Sequence, residues 1–318
     1  MSHLTDDFRY WLRQQQAWND LRTAQKNGWS ESFRRLWTWP RILATEPIRT
    51  DPFEAGAPTE LHVLCHGSDW LLAIWMLKSF VRYSGRRHIL VIHLQKQTKP
   101  SVQRHLAQHF PDARILLPAA SKQLVGDALV SAGLVNCLRW WLQSPIMHKL
   151  FGVQILSAST NLVGIDADVL FFQRPEELLQ TDHQPWPWFT FQQDQMDSYT
   201  LSRTDAEGLL EIPLVARVNT GLMVRAREAL DLRQIEDLLQ STAVAKPSGH
   251  LEQTLYALAG SAAGRVRLLP PAYAISMDGP VDITKATCRH YAGPSKRWIT
   301  TEGMRRLIGQ GILDRFSK

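Results

Sequence analysis

Two aspartates, Asp166 and Asp168, have the residue types and the spacing that most directly suggest chemistry in this sequence. Side chains two positions apart on an extended chain point to the same side, so the two carboxylates converge. Converging carboxylates repel each other unless a cation lies between them, and hard oxygen ligands suit Mg²⁺ or Mn²⁺. Largely apolar residues flank the pair at 162–165 and 169–172, where an unpaired carboxylate is costly to bury. The pattern predicts a metal site; the alternatives are solvated loop acids or N-caps of a following helix.

Apolar runs alternate with helical segments on the way to this acidic turn. The predicted strands are residues 61–65, 88–94, 113–117 and 161–165, separated by predicted helices at 70–83, 101–109 and 126–150. Such an alternation predicts a parallel sheet with helices on its faces. Ligands of open α/β sheets bind beyond the carboxyl ends of the strands, which is where Asp166 falls. After Asp168 we expect strands at 169–172, 188–191, 218–224 and 265–269, helices at 226–240, 251–258 and 301–316, and a polar loop at 289–298.

The sequence pattern divides the chain into two regions. Residues 1–60 carry aromatic and aliphatic side chains at helical spacing, which predicts a helical N-terminal extension of two amphipathic helices, broken near Gly28 and ended before Pro40. Residues 61–318 are predicted to form a single α/β domain. The extension is interpreted as packing on this domain, and docking to a membrane or a partner is the alternative.

Composition limits the classes of partner. The 318 residues carry a net charge of +6, which favours an anionic partner. The basic residues are dispersed, without a run of five like charges, so no nucleic-acid partner is expected. A phosphorylated sugar donor or an anionic membrane surface fits the charge equally well. The chain has no apolar stretch of membrane-spanning length and no secretory signal at its start, so a cytoplasmic location is expected, with peripheral association at the inner face of the membrane as an option.

The three cysteines, Cys65, Cys137 and Cys288, are widely spaced and form no CxxC pair. Neither a disulfide framework nor a zinc site is indicated by this spacing. Cys65 lies in an apolar run, so it is predicted to be a small core residue.

The acidic turn resembles a known family. The segment Gly164-Ile-Asp-Ala-Asp-Val-Leu-Phe-Phe172 is similar to the Asp-x-Asp segment of GT-A fold glycosyltransferases, and most of all to the retaining enzymes of glycosyltransferase family 8 and their bacterial relatives. A second segment, His290-Tyr-Ala-Gly293-Pro-Ser-Lys296-Arg-Trp298, follows that family's H-x-x-G-x-x-K-P-W pattern, except that Arg297 replaces the proline. The resemblance covers roughly residues 61–300. It implies an α/β GT-A domain with a mixed, mainly parallel central sheet flanked by helices.

The same resemblance implies roles for the residues of the two motifs. His290 would be the third protein ligand of a Mn²⁺ or Mg²⁺ ion held by Asp166 and Asp168. Lys296 would neutralise the diphosphate of a nucleotide-sugar donor, which is a charge-stabilising role that such a reaction needs. Gly293 would let the backbone approach the phosphates.

Further segments carry weaker matches to the family. Val218-Asn219-Thr-Gly221 resembles its F-N-A/S-G strand, whose asparagine faces a sugar, and Glu252-Gln253 resembles its D-Q pair, with Glu in place of Asp. The resemblance implies that Gln253 stabilises the transition state on the face of the sugar opposite the leaving group. Asp69 would contact the base or ribose, and Arg139 would help to hold the donor. The alternatives are a strand-end turn residue for Asn219, an exposed helix position for Gln253 and a helix cap for Asp69.

Taken together, the motifs predict a metal-dependent glycosyltransferase that moves a sugar from a nucleotide-diphosphate sugar, expected to be a UDP-sugar, to a glycan, lipid or protein acceptor. Retention of the anomeric configuration is implied by the family resemblance alone. A nucleotidyltransferase on a related α/β sheet is one alternative, although the segment after the first strand lacks a Gly-rich basic loop. A non-catalytic basic binding module is the other. The sequence predicts neither the acceptor nor the oligomeric state.

Overall fold

The structure of the chain is a computed structural model, and it describes residues 29–54, 57–66, 69–95, 98–180 and 185–314. Ten strands are found in these residues, namely β1 Thr59–Cys65, β2 Ile89–Leu94, β3 Arg114–Leu116, β4 Asn161–Asp166, β5 Val169–Phe171, β6 Phe189–Gln193, β7 Val218–Ala226, β8 Val266–Leu268, β9 Tyr273–Ile275 and β10 Cys288–His290. The α-helices are α1 Trp29–Thr38, α2 Trp70–Ser84, α3 Pro100–His109, α4 Pro118–Ser131, α5 Val135–Gln143, α6 Phe151–Leu156, α7 Glu176–Leu179, α8 Arg203–Leu210, α9 Leu232–Leu238, α10 Leu251–Ala262 and α11 Arg305–Gly309.

A seven-stranded sheet forms the centre of the domain in the order β3-β2-β1-β4-β7-β6-β8. Strand β1 pairs in parallel with both β2 and β4, and β2 pairs in parallel with β3. Strand β7 is antiparallel to β4 and β6, whereas β6 and β8 are parallel. The predicted class, a mixed and mainly parallel sheet flanked by helices, is therefore confirmed.

Both faces of this sheet are covered, which explains why its strands read as apolar runs. On one face, α2 packs against Leu61, Val63 and Cys65 of β1, and most residues of this helix are buried. On the other face, Val91 of β2 and Met223 of β7 belong to a second core with α10. All three cysteines are free and buried, as expected for Cys65. Among the described residues, no helix is long and apolar enough to cross a membrane.

A second, three-stranded sheet lies beside the first in the order β5-β10-β9. Strand β10 pairs antiparallel with β5, and His290 is the register partner of Val169. The prediction of a polar loop over 289–298 was wrong, because Arg289 and His290 are fully paired strand residues and Gly293–Trp298 is a 3-10 helix. The polar sequence had suggested a solvent-exposed loop, but Arg289 is buried because its charge is paired with Glu302.

The helical predictions hold for three segments and fail for longer ones. Helices α2, α3 and α10 lie where they were expected, whereas the predicted helix at 226–240 is reduced to a 3-10 turn and the short helix α9. The predicted final helix divides into a π-helix over Ile299–Met304 and α11. Of the two helices predicted for 1–60, the first lies outside the described residues. The second is α1, which stops before Pro40 and continues as the 3-10 helix Trp39–Ala44.

Candidate active site

Strand β4 ends at Asp166, beside β1 at the carboxyl edge of the large sheet. From β1 the chain builds outward through β2 and β3 on one side, and β4 lies on the other side. The direction of winding therefore reverses between β1 and β4, and such a crevice is where open α/β sheets bind ligands. The acidic turn thus occupies the position that the topology favours for a ligand.

Three side chains meet at this turn, and their ligand atoms all lie within 4.8 Å of one another: those of Asp166, Asp168 and His290. Nε2 of His290 lies 3.2 Å from Oδ1 of Asp168 and 3.9 Å from Oδ2 of Asp166. The β5–β10 pairing brings the imidazole here, because it aligns His290 with the residue that follows Asp168. The structure therefore joins the two motifs that the sequence predicted separately.

The ring of His290 is held in one orientation. The side-chain amide of Gln192 donates through Nε2 to the carbonyls of Tyr273 and Ala274 at 3.1 and 3.0 Å. Its Oε1 therefore faces Nδ1 of His290, 3.2 Å away, and accepts a hydrogen bond from that nitrogen. The opposite nitrogen, Nε2, points at the carboxylates, which is the orientation found in metal-binding histidines.

Gly221 leaves room for this ring. A Cβ atom at position 221 would overlap Cε1 and Nδ1 of His290. The amide of Gly221 also donates to Oδ1 of Asn219 at 2.9 Å, and Nδ2 of Asn219 donates to Asp194. The segment predicted as the N-x-G strand is therefore packed directly against the imidazole, and Asn219 is buried rather than exposed at a turn.

Two lysines neutralise the acids. Nζ of Lys149 lies 2.7 Å from Oδ1 of Asp166, and Nζ of Lys296 lies 3.0 Å from Oδ2 of Asp168. Burial alone would raise the pKa of the Asp168 carboxyl, but Lys296 and His290 outweigh it and hold that pKa well below its usual value. Asp168 in turn raises the pKa of Lys296, so both groups are ionised at neutral pH.

The donor set fits a hard divalent cation. It offers two carboxylates and one imidazole nitrogen converging from β4, the turn after it, and β10, with the ring fixed by a hydrogen bond from behind. Mn²⁺ and Mg²⁺ accept such ligands and keep further positions for phosphate oxygens. The three groups therefore form a possible site for a divalent metal ion.

Glu252 and Gln253, at the start of α10, lie under β7. Gln253 accepts from the amide of Thr220 through Oε1 and donates to the carbonyl of Ser198 at 2.9 Å, so its amide is fixed on both sides. It is buried, which excludes the alternative of an exposed helix position. Glu252 accepts from the hydroxyl of Thr220 at 2.9 Å and has one oxygen without a hydrogen-bond partner.

Burial raises the pKa of Glu252 to about 7, even though Lys149 and the Thr220 hydroxyl act in the opposite direction. Burial alone would lower the pKa of Lys149, but Asp166 and Glu252 together raise it. Lys149 is therefore the cation shared by two acids, one from the metal cluster and one from the predicted D-Q pair.

The remaining predicted residues lie at different distances from this cluster. Asp69 occupies the N-cap position of α2 without a side-chain cap, and its charge contributes to the raised pKa of Lys296. Gly293 has a φ of 51°, in the left-handed region that glycine adopts readily, and begins the 3-10 turn that carries Lys296. Arg139 lies on α5, and no described contact of the acidic cluster involves it; its role stays a prediction.

Sequence reasoning missed Lys149 and Gln192. Lys149 lies ten residues beyond Arg139 within a segment that was predicted as one long helix, and its residue type alone was the signal. The helix is instead interrupted at Ser144 and Pro145, and the 3-10 turn that follows directs Lys149 inward. Gln192 carried no pattern at all, because its role depends on a β-bulge between Phe191 and Gln192.

Several solved structures are similar to this chain at low identity. Mouse xyloside xylosyltransferase 1 is 13% identical with a TM-score of 0.49, over 77% of this chain and 98% of that one. The galactosyltransferase LgtC, in complex with donor and acceptor sugar analogs, is 11% identical with a TM-score of 0.48, over 79% and 95%. The bifunctional glycosyltransferase WbbM is 13% identical with a TM-score of 0.48, over 78% of this chain and 48% of its own. Neither a protein-family model nor a curated protein matches the chain.

Proposed function

We propose that this protein is a metal-dependent glycosyltransferase that uses a nucleotide-diphosphate sugar as donor. The observation that carries the proposal is the group formed by Asp166, Asp168 and His290, with Lys149 and Lys296 paired to its acids. Two carboxylates, one oriented imidazole and two ammonium groups form a site suited to a cation bound to a diphosphate. The resemblance of both motifs to glycosyltransferase family 8 supports this choice over a nucleotidyltransferase.

A divalent cation held by Asp166, Asp168 and Nε2 of His290 would supply Lewis-acid stabilisation of the leaving diphosphate. Lys296 adds a second positive charge near the same phosphates. A donor that binds there must compete with Asp168 for the ammonium group, because the two are ion-paired. Removing one charge-stabilising group of this kind typically costs about 3 kcal/mol in the barrier.

In the proposed reaction, the bond between the anomeric carbon and the phosphate oxygen breaks, and a bond from the acceptor oxygen to that carbon forms. The proton of the acceptor hydroxyl passes to the leaving phosphate, so no protein base is consumed. Attack on the face that the diphosphate leaves retains the configuration, as the family resemblance implies. Gln253, whose amide is fixed by Thr220 and Ser198, supports the positive charge that develops on the sugar.

Thermal-shift measurements with a panel of UDP-, GDP- and CMP-sugars, each with and without Mn²⁺, test this proposal. We expect stabilisation by one UDP-sugar that requires Mn²⁺, followed by slow release of UDP in the presence of the metal. Asp168→Ala should lose both effects, whereas Asp282→Ala, which removes an acid from an exposed loop pair, should keep them. Release of pyrophosphate from a nucleoside triphosphate would favour the nucleotidyltransferase, and stabilisation by oligonucleotides alone would favour the binding module.

A further inference from the structure

Helix α1, which precedes β1 in the chain, contacts the 3-10 turn Gly293–Trp298 that carries Lys296. Glu31, Ser32 and Arg35 form its buried face, and Trp39 continues that face into the following 3-10 turn. The opposite face is open, with Phe33 and Trp37 exposed. Two polar contacts join α1 and this turn to residues near the end of the described chain.

The first contact involves Arg35 and Lys296. Nη2 of Arg35 donates to the main-chain carbonyl of Lys296 at 2.9 Å, and Nε of Arg35 is paired with Oε1 of Glu31 at 3.1 Å. The same Lys296 carbonyl accepts from the amide of Ile299, which closes the 3-10 turn. A guanidinium paired on its other side is a strong and directional donor, so it fixes this peptide group in space.

The second contact anchors the helix itself. The indole of Trp39 donates to the hydroxyl of Thr300 at 3.0 Å, and the carbonyl of Trp39 accepts from the indole of Trp75 on α2 at 3.0 Å. Nζ of Lys78, also on α2, donates to Thr45 and to the carbonyl of Glu46. The segment that carries Arg35 is thus tied to the buried helix α2, which packs on the central sheet.

We infer that Arg35 is a positioning residue for Lys296, and that this helix is a working part of the donor site. The turn that carries Lys296 begins at Gly293, where the backbone is in the left-handed region. Within this turn, the carbonyl of Lys296 accepts the hydrogen bond from Arg35. The side chain of Lys296 extends from this turn to Asp168, where Nζ lies 3.0 Å from Oδ2. The position of the Lys296 backbone therefore limits where its ammonium group can reach. The inference rests on the proposed function, because it assigns Arg35 to the diphosphate subsite of that site.

Isothermal titration with UDP plus Mn²⁺ tests the inference on the full-length protein. Arg35→Met keeps the aliphatic stem and removes the donor, and we expect the Kd for UDP to rise about tenfold, the size of a lost charged hydrogen bond. The Kd for UMP should change less than twofold, because UMP lacks the second phosphate. Arg41→Met removes the same charge from an exposed position of the following 3-10 turn and should leave both values unchanged.

A double-mutant cycle separates positioning from general support of the fold. If Arg35 acts through Lys296, Arg35→Met should cause no further loss in a Lys296→Met background. Equal losses in both backgrounds, or an unchanged Kd in the single variant, would overturn the inference. If Arg35→Met does not fold, Glu31→Gln, which releases the guanidinium while retaining it, replaces Arg35→Met in the same cycle. Wild-type protein that binds no UDP would refute the proposed function and the inference together, whereas normal wild-type binding with an unaffected Arg35→Met variant would refute the inference alone.

Discussion

Lys296 forms an ion pair with Asp168, with Nζ and Oδ2 3.0 Å apart. A cation that is proposed to serve the donor thus occupies an oxygen that is proposed to bind the metal. Lys149 holds Asp166 in the same way. The site is therefore electrostatically balanced by its own side chains, and ligand binding requires an exchange of partners within it.

This exchange predicts opposite effects of one substitution. Lys296→Met should tighten binding of Mn²⁺ alone about three- to tenfold, because Asp168 loses a competing cation, and should weaken binding of UDP in the presence of Mn²⁺ by about tenfold. Titration of Mn²⁺ followed by electron paramagnetic resonance measures the first effect, and calorimetry measures the second. Lys285→Met removes an exposed lysine from a surface pair and should change neither. Weaker Mn²⁺ binding by Lys296→Met would contradict the assigned competition.

Gly221 is predicted to be essential for the place of His290. Gly221→Ala puts a Cβ atom into the imidazole ring, so the ring must move away from the carboxylates. We expect Mn²⁺ affinity to fall at least tenfold, with the far-ultraviolet circular dichroism unchanged. Gly208→Ala, in helix α8 where a new Cβ meets nothing within 4 Å, is the matched control. Normal Mn²⁺ binding by Gly221→Ala would exclude His290 as a ligand.

Gln192 should affect the metal without touching it. Gln192→Leu removes the acceptor for Nδ1 of His290, so the ring can rotate or change tautomer. Loss of such a partner typically weakens metal binding by about 10- to 100-fold. The comparison is Gln193→Leu, one residue further along the same strand, which should bind Mn²⁺ normally. Equal Mn²⁺ affinities of the two variants would show that the orientation of His290 does not depend on Gln192.

Glu252 should make stability depend on pH. Burial raises its pKa in the folded protein to about 7. Its favourable contribution to the free energy of unfolding is therefore fully present below its unfolded pKa of about 4.5, and this contribution is lost as the pH rises through 7. Glu252→Gln lacks this loss, and its free energy of unfolding relative to wild type should improve between pH 5 and pH 8 by up to about 3 kcal/mol. Urea denaturation at both pH values measures the difference. A constant difference across this range would show that Glu252 does not titrate there.

The sequence was most informative where local pattern and topology agree. Strands β1, β2 and β4 were predictable because each is a short apolar run between helical segments, and the candidate metal ligands followed from two motifs. The role of Lys149 could not be predicted, because its position depends on the end of a helix before Pro145 rather than on any periodicity. The ion pair of Arg289 with Glu302 was equally hidden, since it joins residues in a sheet and a π-helix whose pairing is tertiary.

The hydrogen bond between Arg35 and the Lys296 carbonyl joins residues 261 positions apart. During synthesis, Asp166 and Asp168 leave the ribosome well before His290. Arg35 can form its hydrogen bond only after Lys296 has been synthesised. A nascent chain that ends before residue 288 would carry Asp168 without His290 and Lys296, whereas Asp166 would already have Lys149 as its partner. Donor binding is therefore expected only after Lys296 has been synthesised, so a shorter nascent chain would not hold nucleotide sugar while it folds.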